Sequence, residues 1–190
     1  MADPEATPDS ARASRTSGGS RNWPRQRWFD RTFAFPIPIE LFRETVERLR
    51  GTPGRLEERL AASSPEQLRA KPAGTWSIQE NAGHLLDLEP LWLARARDLA
   101  AARPELSPAD LQNRATHDAA HNEADIGLIV AAFRRARRTL IETLDTFTPD
   151  MAHFSSKHPR LGTPMTVVDL AFFVAEHDDH HLVRIAELID

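Results

Sequence analysis

Apolar residues recur at helical spacing over most of the chain downstream of residue 40. Leu41, Phe42, Thr45, Val46 and Leu49 share one face, and the pattern resumes with Leu56, Leu60 and Leu68 after Gly51-Thr52-Pro53-Gly54. This predicts either one kinked helix or two consecutive ones. Ser77 followed by Glu80 is a capping box that opens a helix running to about Ala102, ahead of Pro104. Pro90 should kink or split it, and Ile78, Leu85, Leu88 and Trp92 point inward. Ser107-Pro108 predicts a short helix through His121. Ile126 to Phe147 predicts a long one built on Ile129, Val130, Phe133, Leu140 and Leu144, with Arg134, Arg135, Arg137 and Arg138 mostly covering its outer face. An irregular stretch follows Thr148-Pro149, and Thr166 with Asp169 then caps a last helix reaching the C-terminus. Four principal helices and no convincing strand predict an all-α fold, a four-helix bundle over residues 40–190.

The pattern fails upstream. Residues 1–22 are rich in Ser, Ala, Arg, Pro and Gly without apolar periodicity, and are expected to form a disordered tail. Residues 23–39 read as an extended strap, because Pro36 and Pro38 forbid a helix while Phe29, Phe33 and Phe35 alternate with small or polar residues. Six arginines against one acid, Asp30, lie between Arg12 and Arg31, with Trp23 and Trp28 interleaved. They suit either an anionic partner or, more simply, a solvated leader whose aromatics pack on the domain.

Composition narrows the chemistry. A chain of 190 residues with 41 % hydrophobic content suits one domain. The net charge of −4, from 24 basic and 28 acidic residues, offers nucleic acid no overall positive field, so no nucleic-acid partner is expected. Only two of the basic residues are lysine. Cysteine is absent, which removes disulfides, thiolate nucleophiles and sulfur-ligated metal, and leaves His, Asp and Glu as the strong ligands. No apolar stretch suggests a signal peptide or a membrane span, so a soluble cytoplasmic protein without a membrane partner is the expectation.

Histidine spacing then stands out. The last helix should bury Leu170, Val174, His177, His181, Ile185 and Leu188, which sets two imidazoles one turn apart on the core side, within reach of one ion. His180 falls in line with Glu176 and Glu187, outside the ligand set or in solvent. His84 shares a stripe with Asn81, Leu88 and Leu91 on the Ser77 helix and could supply a third nitrogen. Three protein ligands leave a position for water or substrate, as in catalytic zinc sites. The competing reading is three core histidines with ordinary hydrogen-bond partners, and an HxxxH pair lacking the HExxH glutamate is a motif of moderate weight.

Other candidates surround them. His117 and His121 form a second i, i+4 pair that could act as a general base or fourth ligand, or simply belong to a solvated short helix. Glu80 and Asn81 could orient a ligand, although Glu80 is equally explained as a capping partner. Asp178 and Asp179 could hold an imidazole tautomer, with at least one expected in solvent. His153 and His158 fall in a loop with Lys157 and Arg160, and Trp76 and Trp92 read as packing residues.

The segments GTWSIQENAGHLLDLEPLW and VVDLAFFVAEHDDHHLVRIAELI resemble the two signature helices of the DinB/YfiT-like superfamily over roughly residues 40–190. That resemblance implies a four-helix bundle whose metal ligands carry over to His84, His177 and His181, all kept here. It further implies a homodimer, one zinc, nickel or iron ion, and no uniform activity: some relatives are transferases or isomerases using a low-molecular-weight thiol, and others hydrolases. The expectation is therefore a metal-binding protein that activates water or a thiol cosubstrate for a small-molecule substrate. The alternative is a non-catalytic, stress-associated protein whose ion braces the bundle.

Overall fold

The computed structural model describes Pro24, residues 26–71 and residues 74–190; the expected tail over 1–22 and Trp23 lie outside the described residues. The chain forms two units, Met1–Arg31 and Thr32–Asp190. In the first, a 3-10 turn spans Trp28–Asp30, Gln26 Nε2 donates to the Asp30 carbonyl at 2.9 Å, and the Arg31 guanidinium lies 5.5 Å from the centre of the Trp28 ring. The strap expected over 23–39 is thus not continuously extended. Its later part belongs to the second unit, where Phe33 stacks on Phe35 at 5.6 Å and tilts against Phe173 at 5.0 Å. There the Ile37 N–H donates to Asp169 Oδ1 at 2.7 Å.

Helices α1 (Phe42–Leu60), α2 (Pro65–Arg69), α3 (Ile78–Ala100), α4 (Arg114–Asp118), α5 (Ile126–Leu144) and α6 (Val167–Ile189) follow in order. Capping boxes at Ser64–Gln67, Ser77–Glu80 and Thr166–Asp169 start α2, α3 and α6 by satisfying backbone N–H groups that have no helical partner. Pro53 does not break α1. Proline has no N–H to donate to the Leu49 carbonyl one turn back, and Arg137 Nη1 donates to that carbonyl instead, at 3.2 Å. Pro90 is exposed and α3 likewise runs through it.

The four long helices close a ring in which α1 packs on α5 and α6, and α3 packs on the same two. Trp92 meets Phe173 while His84 meets His181, so α3 and α6 are antiparallel. Glu57 pairs with Arg134 and Arg50 with Asp145, which makes α1 and α5 antiparallel too. Consecutive α1 and α3 therefore stand on one diagonal, α5 and α6 on the other, and α3 and α5 are parallel neighbours. Leu56, Leu60, Ile78, Leu85, Phe133 and Ile185 fill the centre among other apolar side chains. Parallel neighbours joined in sequence require a return segment along the bundle, and residues 101–125 provide it.

That segment is where sequence reading failed most. The helix expected from Ser107 through His121 is only α4, followed by a 3-10 turn over His121–Glu123. Asn113 and Ala120 take left-handed backbone angles (φ 52° and 47°), which end regular helix on either side. A two-residue antiparallel ladder, β1 (Ser156–Lys157) with β2 (Pro164–Met165), also appears, and Glu105 bridges to Lys157. Arg137 departs from its expected outer face. It is 1 % exposed and bound to Glu89 and Asp178.

Candidate metal centre

His84 on α3 and His177 and His181 on α6 meet inside the bundle, each offering a ring nitrogen such that the three nitrogens lie within 4.8 Å of one another. The three rings stand 4.6–5.3 Å apart between centroids, and all three residues are buried. Antiparallel packing explains the meeting: the i, i+4 pair of α6 presents both imidazoles to the stretch of α3 that carries His84.

Neighbouring side chains fix which nitrogens face inward. Asn81 Nδ2 donates to the Ser77 carbonyl at 2.7 Å, so its Oδ1 is turned to His181 Nδ1 at 2.9 Å. An amide oxygen can only accept. His181 Nδ1 therefore carries the proton, and its Nε2 keeps a lone pair. Thr116 Oγ1 on α4 sits 2.9 Å from His84 Nδ1; a hydroxyl can donate or accept, so this contact orients the ring by engaging Nδ1 without setting its tautomer. Burial pushes the His84 imidazolium down to about 4, with Asp87 opposing and His121, His180 and His117 adding to the fall. Nitrogen donors that are neutral, buried and oriented through their second nitrogen are what a late transition ion requires.

Aromatic rings enclose the cluster. Trp76, half-buried, lies 4.7 Å from the His84 ring and nearly parallel to His181 at 6.2 Å; Trp92 sets its edge toward His177 at 5.6 Å. Both tryptophans do pack, as expected, but onto the histidines themselves.

The return segment forms the remaining wall. Thr116 reaches His84, the exposed His117 stands edge-on to Trp76 at 5.9 Å, and Asn122 Oδ1 accepts from Ser77 Oγ at 2.7 Å. His121 is not solvated. It is 6 % exposed, with Nε2 2.8 Å from Asp87 Oδ2, and Gln79 Nε2 donates to its carbonyl and, at 2.7 Å, to that of Ala124. Gly83 makes this packing possible, because a Cβ there would come within 2.3 Å of the His121 ring.

Several expectations need correction. Of the two places expected for His180, outside the ligand set or in solvent, only solvent fails: it is buried, edge-on to His181 at 5.3 Å. Leu88, Leu91 and Leu188 are only half-buried. Asp178 holds Arg137 and Thr52 rather than an imidazole, and Asp179 receives Arg48 and Arg55. Glu80, by contrast, closes the α3 cap as the sequence favoured, and also pairs with Lys71. His153 is exposed, whereas His158 is buried against Arg95, away from the cluster. Thr116 and Asp87 carried no sequence signal, since neither lies at a ligand spacing. Gly83 beside His84 was the one visible hint of a close approach.

A family model described as the DinB superfamily matches residues 48–185. No curated protein matches the chain. Among solved structures, YfiT from Bacillus subtilis, described as "a probable metal-dependent hydrolase with an unusual four-helix bundle topology", superposes with a TM-score of 0.72 at 21 % identity, covering 83 % of this chain and 91 % of that one.

Proposed function

The chain belongs to the DinB superfamily, and from that premise we propose that it holds one divalent transition-metal ion on His84, His177 and His181 for use in hydrolysis or thiol transfer. The observation that carries this reading is the convergence of three buried imidazole nitrogens within 4.8 Å, two of them with the opposite ring nitrogen committed to Asn81 or Thr116. An ion bound there would lower the pKa of a coordinated water or thiol toward about 7 and so supply a nucleophile at neutral pH. The rest falls to the chain. Asn81 holds the His181 tautomer, Thr116 orients the His84 ring, Trp76 and Trp92 keep bulk water off the rings, and the absence of cysteine means that any thiol arrives as a cosubstrate. The description of YfiT as "a probable metal-dependent hydrolase" supports hydrolysis as the first reaction class to screen.

The test is metal content by mass spectrometry on untagged protein purified without an immobilised-metal column, comparing wild type with His177→Ala. We expect about one ion per chain in wild type and little in the variant, as a three-ligand site predicts. Turnover of ester, amide or thiol-transfer substrates should be lost with it. Folded wild type that contains no metal and takes up neither zinc nor nickel would overturn the reading. Metal-dependent stability without turnover on any of these substrates would instead leave an ion that braces α3 against α6.

A further inference from the structure

A second polar cluster lies beyond Trp92 and Phe173, and the metal reading leaves it unused. Arg95 on α3 is 2 % exposed. A guanidinium so buried is ordinarily paired with a carboxylate. Arg95 forms no ion pair among the described residues. Its Nε donates to the Ser107 carbonyl at 2.9 Å, its guanidinium lies 5.5 Å from the centre of the Trp92 ring, and Nη1 sits 3.0 Å from His158 Nε2. Nη2 hydrogen-bonds to nothing among the described residues. The acid one turn along, Asp98, is committed to Ser107 N–H and Oγ, both at 2.7 Å, and to Arg103.

The contact with His158 is the informative one. Nδ1 of that ring accepts the backbone N–H groups of Arg160 and Leu161, each at 3.2 Å. Burial, then Arg95 and Arg160, hold its imidazolium down to about 4, so the ring is neutral near pH 7. A neutral imidazole that accepts at Nδ1 carries its proton on Nε2. The 3.0 Å approach therefore sets one donor against another. Arg160 adds a second guanidinium nearby, and burial with Arg160 lowers Arg95 itself to about 10 against the pull of Asp98. Convergent donors with net positive charge are the recognition chemistry of an oxyanion.

We propose that Arg95 and the Nε2–H of His158 form a binding site for an oxyanion, the carboxylate or phosphate of a small ligand. Arg160 supplies further positive charge. Phe173 stands 5.4 Å from His158 and one helical turn before His177, and the Trp92 ring lies 5.6 Å from His177. Trp92 and Phe173 thus stand between a ligand anchored here by its anionic end and the histidine cluster. Its identification as the substrate rests on the proposed metal-dependent function; the anion site itself does not.

The test uses the full-length protein and its Arg95→Gln variant. Thermal unfolding is followed with inorganic phosphate and, separately, with succinate, each against sodium chloride at equal ionic strength. The expected result is a saturable rise in Tm of wild type with at least one of the two, and no rise above the chloride control in Arg95→Gln. A response to phosphate alone identifies a phosphorylated ligand, and one to succinate alone a carboxylate. No response in wild type, or an equal response in the variant, overturns the site. Should Arg95→Gln not fold, Arg95→Lys and Arg160→Gln ask the same question: each should weaken binding of the active anion about tenfold or more, since lysine lacks the guanidinium fork. Unchanged binding in both would be equally fatal. Because no metal-dependent step is read, failure here leaves the three-histidine centre standing, and loss of metal binding leaves this site standing.

Discussion

At the scale of single residues, the ligand set is less informative than the atoms behind it. Two imidazoles of the cluster are held by their outer nitrogens, and for His181 the direction of the proton follows from a chain of two hydrogen bonds through Asn81. Replacing Asn81 with alanine should leave the helix intact while freeing the His181 ring to rotate and change tautomer. We expect the affinity for zinc, measured by competition with a chelating dye, to fall roughly 10–100-fold. An unchanged affinity would show that Asn81 does not orient the ligand. The sequence exposed His84, His177 and His181 because helical periodicity places them on buried faces. It exposed Asn81 for the same reason, as the residue one turn before His84. Thr116 was invisible, because its role depends on where the return segment runs and no local pattern encodes that.

At the scale of elements, the long helices were legible because each carries its own signal: an apolar stripe with a capping residue at its start. Sequence left open whether α1 survives Pro53, and the answer lay far along the chain. Arg137 takes the carbonyl that proline leaves without a donor, a pairing across 88 residues. The same arginine was misplaced because three neighbouring arginines do face outward. The contact between α3 and the His121 turn is a tight one and depends on the missing side chain at position 83. Gly83→Ala should cost about 1–3 kcal/mol through overpacking, measured by urea unfolding. Adding His121→Ala should recover much of that loss, since the colliding ring is gone. A Gly83→Ala protein as stable as wild type would contradict the packing described.

At the scale of the molecule, one guanidinium serves two buried carboxyl groups, so Arg137 cannot neutralise Glu89 and Asp178 together when both are ionised. Among the described residues Glu89 Oε2 has no hydrogen-bond partner. Burial pushes the Glu89 carboxyl up to about 7, with Arg137 opposing and Asp178 acting in the same direction as burial. The folded protein thus retains a proton that the unfolded chain releases from about 4.5 upward. The resulting stabilisation is complete below that value and is lost as the pH rises through about 7. His158 works in reverse: its folded pKa lies below the ordinary 6.5, so its contribution is lost as the pH falls toward 4. Glu89→Gln isolates the first effect. The advantage of wild type over this variant should shrink by on the order of 2 kcal/mol between about pH 5 and about pH 8. An advantage independent of pH would refute the buried proton.

The return segment between the parallel helices α3 and α5 has one more implication. A helix of 23 residues is about 35 Å long, and an extended chain would retrace that distance in roughly ten residues. The link from Ala100 to Ile126 holds 25. More than half of it is therefore surplus to joining the helices, and part of that surplus is folded into α4 and the His121 turn, which line the centre. Chain length in this molecule is allotted unequally: the bundle geometry sets a minimum for the link, and length above that minimum lies against α3, where Thr116 meets His84 and His121 meets Asp87.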